Sequence, residues 1–333
     1  MNFLTQSNLT AYASGKAILI GEHSVVYGHK AVAIALPDVK LKLTFFAPDH
    51  SQNISSWDNA WFTKIRGNSF IPEQRVTQLL TKAFEKALTL CGVDSSLQYY
   101  IPQKFLIESD IPLGGGMGGS AAISTCLLKI ANQIFNLNNE TKAGLNFQQQ
   151  IQFANEIDCL FHFGKASGLD ASTVASNGII EFSKGKLPEY IQNKKEFWLA
   201  LVDSKERGET AHMVKKVAEK LNTIPEQMQN ALIQLGVLAE KSILALTAGD
   251  LKLLANCLNT AQNYLCEMGV STEKIDTIIQ KFKDTGALAA KLTGAGGGGM
   301  VLGLFESKPD VLYSHFDKDS LFITRVPQYV EKS

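Results

Sequence analysis

The stretch Pro112-Leu113-Gly114-Gly115-Gly116-Met117-Gly118-Gly119-Ser120-Ala121-Ala122 decides how this chain is interpreted. It holds five glycines in six residues, and Ser120 follows at the start of a predicted helix. Because glycines carry no Cβ, their N–H groups can turn inward and approach an anion closely. The orphan N–H groups and the dipole of a helix N-terminus attract the same charge. The pattern predicts a triphosphate cradle built from Pro112, Gly114, Gly115, Gly116, Met117, Gly118, Gly119 and Ser120.

Three other interpretations of this stretch are weaker. A purely structural turn capped by Ser120 does not need so many glycines. A Walker loop requires a lysine followed by serine or threonine at the end of the glycine run, and none stands there. A dinucleotide fingerprint is satisfied by Gly114, Gly116 and Gly119, and Glu140 follows about 20 residues later. Glu140, however, falls in a polar turn and not at the tip of a second parallel strand.

The composition indicates a globular protein without a nucleic-acid or membrane partner. Apolar residues make up 45% and charged residues 19% of 333 residues, and the formal net charge is zero. No basic, apolar leader opens the chain, and no uninterrupted apolar run reaches the length of a membrane span. The cysteine count is odd, and the sequence has no C-x-x-C pair. A disulfide framework and structural zinc are therefore disfavoured, and a reducing cytoplasm is expected.

Hydrophobic periodicity predicts interleaved strands and helices, without the regular alternation of a doubly wound sheet. The fold class is therefore predicted as α+β. A polar segment with Gly185 and Pro188 marks a junction, which places domains at residues 1–187 and 188–333. Residues 163–177 are predicted as a loop. Strands are predicted at 10–46, 105–109, 178–182, 197–202, 289–292 and 300–305, and helices at 72–90, 120–135, 147–162 and, with breaks, 210–285.

Three further motifs carry polar residues beside glycines. Residues 13–28 read ASGKAILIGEHSVVYG, so that Lys16, Glu22 and His23 flank an apolar strand. Residues 291–300 read KLTGAGGGGM, and residues 167–170 read SGLD. Taken alone, each has an ordinary explanation as a solvated lysine, a surface acid, a capped histidine or a flexible hairpin.

Together and in this order, these segments resemble the GHMP kinases. The proline and glycine loop at 112–122 is similar to the second motif of that family, and residues 293–299 are similar to the third. Residues 21–28 are most similar to the mevalonate kinase form of the first motif. The resemblance implies an N-terminal domain like domain 2 of ribosomal protein S5 and a ferredoxin-like C-terminal domain, with the active site between them.

The resemblance also implies ligands and roles for particular residues. ATP would bind in the glycine loop with Mg²⁺, and mevalonate would accept the phosphoryl group on its 5-hydroxyl. Lys16 would act near the transferred phosphate, and Asp170 would orient or deprotonate the acceptor hydroxyl. Ser120 would ligate the metal. Residues implied on the acceptor side are Glu22, His23, Thr210 and Gly294.

This chain departs from the family pattern at three places. Gly119 replaces the usual first serine of the loop, and Ser14 replaces the usual proline before Gly15. The segment 162–165 is one residue longer than the family's His-Gly segment. If Phe163 is the inserted residue, the metal carboxylate is Asp158, with Glu156 as its rival. Because residues two apart on a helix do not share a face, at most one of these acids can reach the metal.

Two alternatives within the same fold stay open at this point. The chain could phosphorylate another acceptor, as a phosphomevalonate kinase or a sugar-1-kinase does. Arg207 is the obvious cation for an already phosphorylated substrate. The chain could also be a non-catalytic ligand-binding protein, although retention of Lys16, Ser120 and Asp170 speaks against that. A homodimer is compatible with the resemblance.

Overall fold

A computed structural model describes residues 8–46, 61–66, 68–70, 72–93, 104–112, 114–138, 144–162, 164 and 166–330. Glu140 and Phe163, on which two of the interpretations above depend, lie outside these residues. The chain forms two compact units, and neither is continuous in sequence. Unit 1 comprises Met1–Gly15, Lys40–Leu113 and Gly118–Ser176, and unit 2 comprises Lys16–Val39, Gly114–Met117 and Asn177–Ser333. The domain boundary after residue 187 stays a prediction.

The strands and helices alternate irregularly, as an α+β fold requires. The described strands are β1 (Leu9–Ile20), β2 (Ala31–Phe45), β3 (Trp61–Ile65), β4 (Asn68–Phe70), β5 (Phe105–Ser109), β6 (Ile179–Phe182), β7 (Glu189–Tyr190), β8 (Phe197–Asp203), β9 (Ala289–Thr293), β10 (Met300–Phe305) and β11 (Leu321–Val326). The described α-helices are α1 (Gln74–Leu90), α2 (Gly119–Asn138), α3 (Phe147–Phe161), α4 (Leu169–Ser176), α5 (Thr210–Thr223), α6 (Pro225–Ala248), α7 (Leu251–Glu267) and α8 (Glu273–Asp284).

The predicted strands and helices are confirmed to within a few residues, but the loop predicted after residue 162 is wrong. Residues 169–176 form helix α4. Six of its eight residues are buried, and Ser, Thr and Val are weak helix formers. A short helix buried on most sides shows no helical period in its sequence, so burial and not propensity stabilises it.

Unit 1 has an aromatic core beneath its strands. Strand β5 pairs in parallel with β3 and antiparallel with the end of β2. Trp61 stacks on Phe105 with ring centroids 4.0 Å apart, and Phe84 of α1 meets the same ring edge-on at 4.8 Å. These contacts fix α1 against the strands. Helices α2, α3 and α4 also pack on one another in this unit.

Unit 2 contains a four-stranded antiparallel sheet in the order β11-β8-β10-β9. Counted from β8, this is the 4-1-3-2 order of a ferredoxin-like sheet, as the resemblance implies. A glycine-rich hairpin turn at residues 294–299 joins β9 to β10. Helices α7 and α8 pack on β9. Asp250 and Thr272 cap the N-termini of these two helices with their side chains.

Helix α6 is long and apolar enough to span a membrane by length and composition. Half of its most apolar window is buried, however, and the helix packs on α7. Core helices of globular proteins have the same properties. All five cysteines are described and are free thiols, and Cys126 and Cys257 are buried.

Candidate functional site

The glycine loop runs directly into the N-terminus of α2. Gly116 and Gly118 have φ values of 77° and 75°, in the left-handed region that side chains disfavour. Left-handed residues alternating with right-handed ones turn consecutive N–H groups to one side, which makes an anion-binding nest. Met117 between them is buried, and its carbonyl accepts a 2.9 Å hydrogen bond from the Lys16 backbone N–H. The loop is thereby tied to β1.

Three polar side chains of unit 1 form a cluster, which we call the serine–aspartate–histidine cluster: Ser120, Asp158 and His162. The Ser120 Oγ lies 3.1 Å from the His162 Nε2, and the Asp158 Oδ2 lies 3.6 Å from the same nitrogen. Asp158 is 2% exposed, whereas 46% of the His162 side chain is exposed. The cluster presents a hydroxyl and a carboxylate, both oxygen donors of the kind hard cations prefer.

Glu156, the rival acid on α3, lies in a different environment. Its carboxylate forms a 2.9 Å ion pair with Lys86, and about a third of its side chain is exposed. The bond from Lys86 lowers the pKa of the Glu156 carboxyl. Glu156 is therefore a surface acid whose negative charge is compensated by Lys86. Among the described residues, no three His, Cys, Asp or Glu side chains cluster as a metal cage.

Asp170 lies in the first turn of α4. The Leu169 N–H just before it donates to the Ser167 Oγ, and Gly168 has a φ of 86°. A side chain at this place lies near the positive end of the helix dipole. An acceptor carboxylate at a rigid helix terminus is suited to holding a hydroxyl group.

Glu22 and His23, for which the resemblance implies an acceptor-side role, belong to unit 2 and are both buried. The Glu22 carboxylate accepts a hydrogen bond from the ammonium of Lys291, and neither side chain is exposed. We call these two residues the glutamate–lysine pair. Burial raises the pKa of the Glu22 carboxyl, while the charges of Lys291 and, to a smaller extent, Lys16 oppose that rise. Burial lowers the pKa of Lys291.

His23 is held by its backbone and by its ring. Its φ of 61° is uncommon for a residue with a side chain, and such conformations concentrate at functional sites. The His23 Nε2 lies 2.9 Å from the carbonyl oxygen of Ala295 and donates to it, because a carbonyl can only accept. Burial lowers the pKa of the ring, and the bond to Ala295 partly offsets this. The ring is therefore neutral near pH 7.

The hairpin turn at 294–299 is tied to two other segments of unit 2. The Ile18 backbone N–H donates to the Thr293 Oγ1 at 2.9 Å, and this hydroxyl donates back to the Ile18 carbonyl at 3.0 Å. The Ser204 N–H donates to the Gly299 carbonyl at 2.9 Å. Gly294 begins the turn, and Thr210 is the exposed first residue of α5. Within unit 2, the first and third motifs are therefore in direct contact.

Arg207, the cation considered for a phosphorylated acceptor, is already paired. Both of its terminal nitrogens donate to Asp203, at 2.7 and 2.8 Å. Such a bidentate pair neutralises the guanidinium. Its aliphatic stem lies beside Gly114 of the glycine loop. Arg207 is thus an unfavourable anchor for a second phosphate.

Sequence reasoning missed one member of this site, Lys291. A signal for it was present, because a lysine stands among the apolar residues Ala289, Ala290 and Leu292 of strand β9. A charge in a buried strand requires a partner. The sequence could not show which acid that partner is, because 269 residues separate the two.

Two segments of the chain match a known protein family. Residues 75–178 match the N-terminal domain of the GHMP kinases, and residues 242–316 match the C-terminal domain of that family. The chain belongs to the GHMP kinase family of ATP-dependent small-molecule kinases. Its relatives in that family include mevalonate kinases. The enzyme of Archaeoglobus fulgidus is 30% identical over 302 residues, covering 90% of this chain and 93% of the relative.

Two further similarities extend over nearly the whole chain. The mevalonate kinase of Thermococcus sibiricus is 28% identical, covering 90% of this chain and 89% of its own. The crystal structure of L. major mevalonate kinase in complex with R-mevalonate superposes with a TM-score of 0.77. It covers 99% of this chain and 100% of its own at 20% identity, which supports the fold alone.

Proposed function

We propose that this chain transfers the γ-phosphoryl group of ATP to the 5-hydroxyl of mevalonate, giving 5-phosphomevalonate and ADP. The observation that carries the proposal is that Ser120, the residue directly after the glycine loop, lies in the serine–aspartate–histidine cluster with the buried carboxylate of Asp158. The mevalonate kinases that match over 90% of the chain supply the choice of acceptor.

The nucleotide binds through the glycine loop. The N–H groups of residues 114–119 and the dipole of α2 hold the β- and γ-phosphates. Ser120 and Asp158 fit a magnesium ion, because they offer two oxygen donors and a phosphate-bound Mg²⁺ needs only one or two protein carboxylates. When bound, Mg²⁺ neutralises phosphate charge. We choose Asp158 over Glu156 as the metal ligand because the Glu156 carboxylate already forms an ion pair with Lys86.

The acceptor hydroxyl is activated by Asp170. As the new O–P bond forms and the bond to the leaving ADP oxygen breaks, the hydroxyl proton passes to the Asp170 carboxylate, or Asp170 orients the hydroxyl. Lys16 offsets the charge on the transferring oxygens. Glu22, His23, Thr210 and Gly294 bind the rest of the acceptor. Because phosphoryl transfer needs little covalent help from the protein, positioning by these residues supplies most of the catalysis.

A coupled ADP-release assay with mevalonate, phosphomevalonate, galactose and homoserine tests the proposal. Turnover with mevalonate should exceed turnover with each of the others by at least about tenfold. The pairing of Arg207 with Asp203 gives a specific reason to expect little activity with phosphomevalonate. Equal or greater turnover with another acceptor would contradict mevalonate as the substrate. It would not contradict membership of the GHMP kinase family. We place the reaction in the cytoplasm, in keeping with five free thiols.

A further inference from the structure

His162 contributes a third donor atom to the serine–aspartate–histidine cluster. Its Nε2 lies 3.1 Å from the Ser120 Oγ and 3.6 Å from the Asp158 Oδ2. The first distance is that of a hydrogen bond, whereas the second is too long for one. An imidazole nitrogen, a hydroxyl oxygen and a carboxylate oxygen therefore lie close together, and a hydrogen bond accounts for only one of the two contacts.

The spacing of these atoms matches that of ligands on a shared cation. Two ligands at right angles on an octahedral ion, each about 2.1 Å from it, lie about 3.0 Å from each other. The distance from Ser120 to His162 is close to this value. The contact between Asp158 and His162 must shorten from 3.6 Å to about 3.0 Å, and the half-exposed His162 side chain can make this movement.

Helix α3 places the acid and the histidine on the same side. Asp158 lies in the last turn of the helix, and His162 directly follows its last residue. Residues four apart on a helix share a face. The same spacing lets the two histidines of an H-E-x-x-H helix bind one metal ion. Helix α3 can thus supply two ligands, and the first turn of α2 supplies a third with Ser120.

We propose that the Nε2 of His162 is a ligand of the metal ion, beside the Ser120 hydroxyl and the Asp158 carboxylate. This inference rests on the proposed function, because the metal enters with the nucleotide. Magnesium prefers oxygen ligands, whereas imidazole nitrogen suits first-row transition metals. With one nitrogen among its ligands, the site binds Co²⁺ in preference to Mg²⁺. His162 therefore sets the metal specificity of the chain.

A role for His162 as a hydrogen-bond partner alone explains the cluster less completely. It would account for the contact with the Ser120 hydroxyl. It would not explain why a buried carboxylate ends 3.6 Å from the same nitrogen, a distance at which neither atom bonds to the other directly. A cation bonded to all three atoms accounts for both distances.

The test detects the metal–nitrogen bond directly, without turnover. Mn²⁺ is bound to the full chain together with tripolyphosphate, which replaces ATP so that no adenine nitrogen contributes. Electron spin echo envelope modulation then records nitrogen nuclei bonded to the manganese. The wild type should show the coupling of a coordinated imidazole, and His162→Gln should lose it. Glutamine keeps a polar group that can bond to the Ser120 hydroxyl, but it carries no imidazole nitrogen.

Metal affinities give a second reading, by calorimetry with the same tripolyphosphate. His162→Gln should weaken Co²⁺ binding at least about tenfold, since even outer-shell partners often cost that much. It should weaken Mg²⁺ binding by less than about threefold, because Mg²⁺ gains little from nitrogen. His315→Gln is the matched control and should change neither affinity. His315 is also an exposed histidine, and its ring nitrogen lies 3.0 Å from the Ser314 hydroxyl.

Three results would overturn the inference. They are a wild-type spectrum without nitrogen coupling, a coupling that persists in His162→Gln, and equal losses of Co²⁺ and Mg²⁺ affinity in that variant. The last would show that His162 acts only through its hydrogen bond to Ser120. If the wild type does not phosphorylate mevalonate, the proposed function fails, which the ADP-release assay shows separately from the spectrum.

Discussion

The serine–aspartate–histidine cluster of unit 1 and the glutamate–lysine pair of unit 2 represent opposite ways of building a polar site. The cluster is open to solvent on the His162 side. The Ser120 Oγ lies within hydrogen-bond distance of the His162 Nε2, at 3.1 Å, whereas the Asp158 Oδ2 lies farther from that nitrogen, at 3.6 Å. The pair is sealed from water on both sides. An open cluster can rearrange when a ligand arrives, whereas the geometry of a sealed pair is fixed once the unit folds. Changes to the cluster should therefore alter rate and metal dependence, and changes to the pair should alter stability and selectivity.

The largest effect should follow from breaking the sealed pair. Lys291→Met leaves a buried carboxylate without its counter-ion, which should lower the free energy of unfolding by about 3–5 kcal/mol. The double variant Glu22→Gln with Lys291→Met should lose clearly less free energy of unfolding than Lys291→Met alone. Urea denaturation measures both. Lys30→Met is the matched control, because the Lys30–Glu181 pair is partly exposed and should lose about 1 kcal/mol or less. Similar losses in all three variants would show that burial is not what distinguishes the pair.

In unit 1 the corresponding large effect should be on rate. Asp170→Asn keeps the shape of the side chain but removes its charge and its ability to accept a proton. We expect kcat to fall about 100-fold or more, with the KM for ATP nearly unchanged. Steady-state kinetics and thermal unfolding should be measured on the same preparation. A wild-type kcat would show that Asp170 takes no part in the reaction. A large loss of stability would show that Asp170, like the glutamate–lysine pair, mainly stabilises the fold.

Asp158→Asn and Glu156→Gln compare two acids of one helix. Losing a direct metal ligand should raise the Mg²⁺ concentration for half-maximal activity by at least about tenfold, since even outer-shell partners often cost that much. Glu156→Gln should change it by less than about twofold, because it removes only a surface ion pair. Mn²⁺ binding followed by electron paramagnetic resonance gives a second reading. A severe defect in Glu156→Gln alone would show that Phe163 is not the inserted residue.

Ser120→Ala should have a smaller effect of the same kind. It removes one neutral oxygen from the cluster and should weaken MgATP binding about fivefold, the equivalent of one polar contact. A Mg²⁺ titration and a nucleotide-binding measurement check this. If both are unchanged, Ser120 contributes only to the first turn of helix α2.

The smallest effect concerns pH and the buried ring of His23. Burial lowers the pKa of this histidine in the folded chain, so the unfolded chain binds the proton more readily. Its stabilising contribution is complete above about pH 6.5 and is lost as the pH falls through the folded value. The difference in unfolding free energy between wild type and His23→Gln should therefore shrink as the pH falls from about 7.5 to about 5.5. A constant difference would mean that His23 does not titrate differently on folding.

Much of the fold could be predicted from the sequence because its patterns are local. The hydrophobic patterns that identify α1 and β8 involve only residues close together in sequence. The composition of the glycine loop alone indicates that it binds phosphate. Helix α4 escaped prediction because it is buried on most of its surface and has no polar face. Strands β3, β4, β7 and β11 were also not predicted.

The candidate site was predictable only where a motif is contiguous. Ser120 and Asp170 could be named from their immediate neighbours. The contact between Lys291 and Glu22 depends on tertiary packing, and no local pattern specifies it. Likewise, the ion pair of Glu156 with Lys86 joins two helices, and the sequence gives no sign of it.

The length of chain between Glu22 and Lys291 has a consequence for biosynthesis. Glu22 leaves the ribosome 269 residues before its counter-ion does. At about 5–20 residues per second, this is a wait of tens of seconds. During that time the carboxylate cannot be buried favourably, because its compensating charge does not yet exist. Unit 2 therefore closes only after strand β9 has been synthesised, and a chain truncated before residue 291 retains an acid that prefers to stay in water.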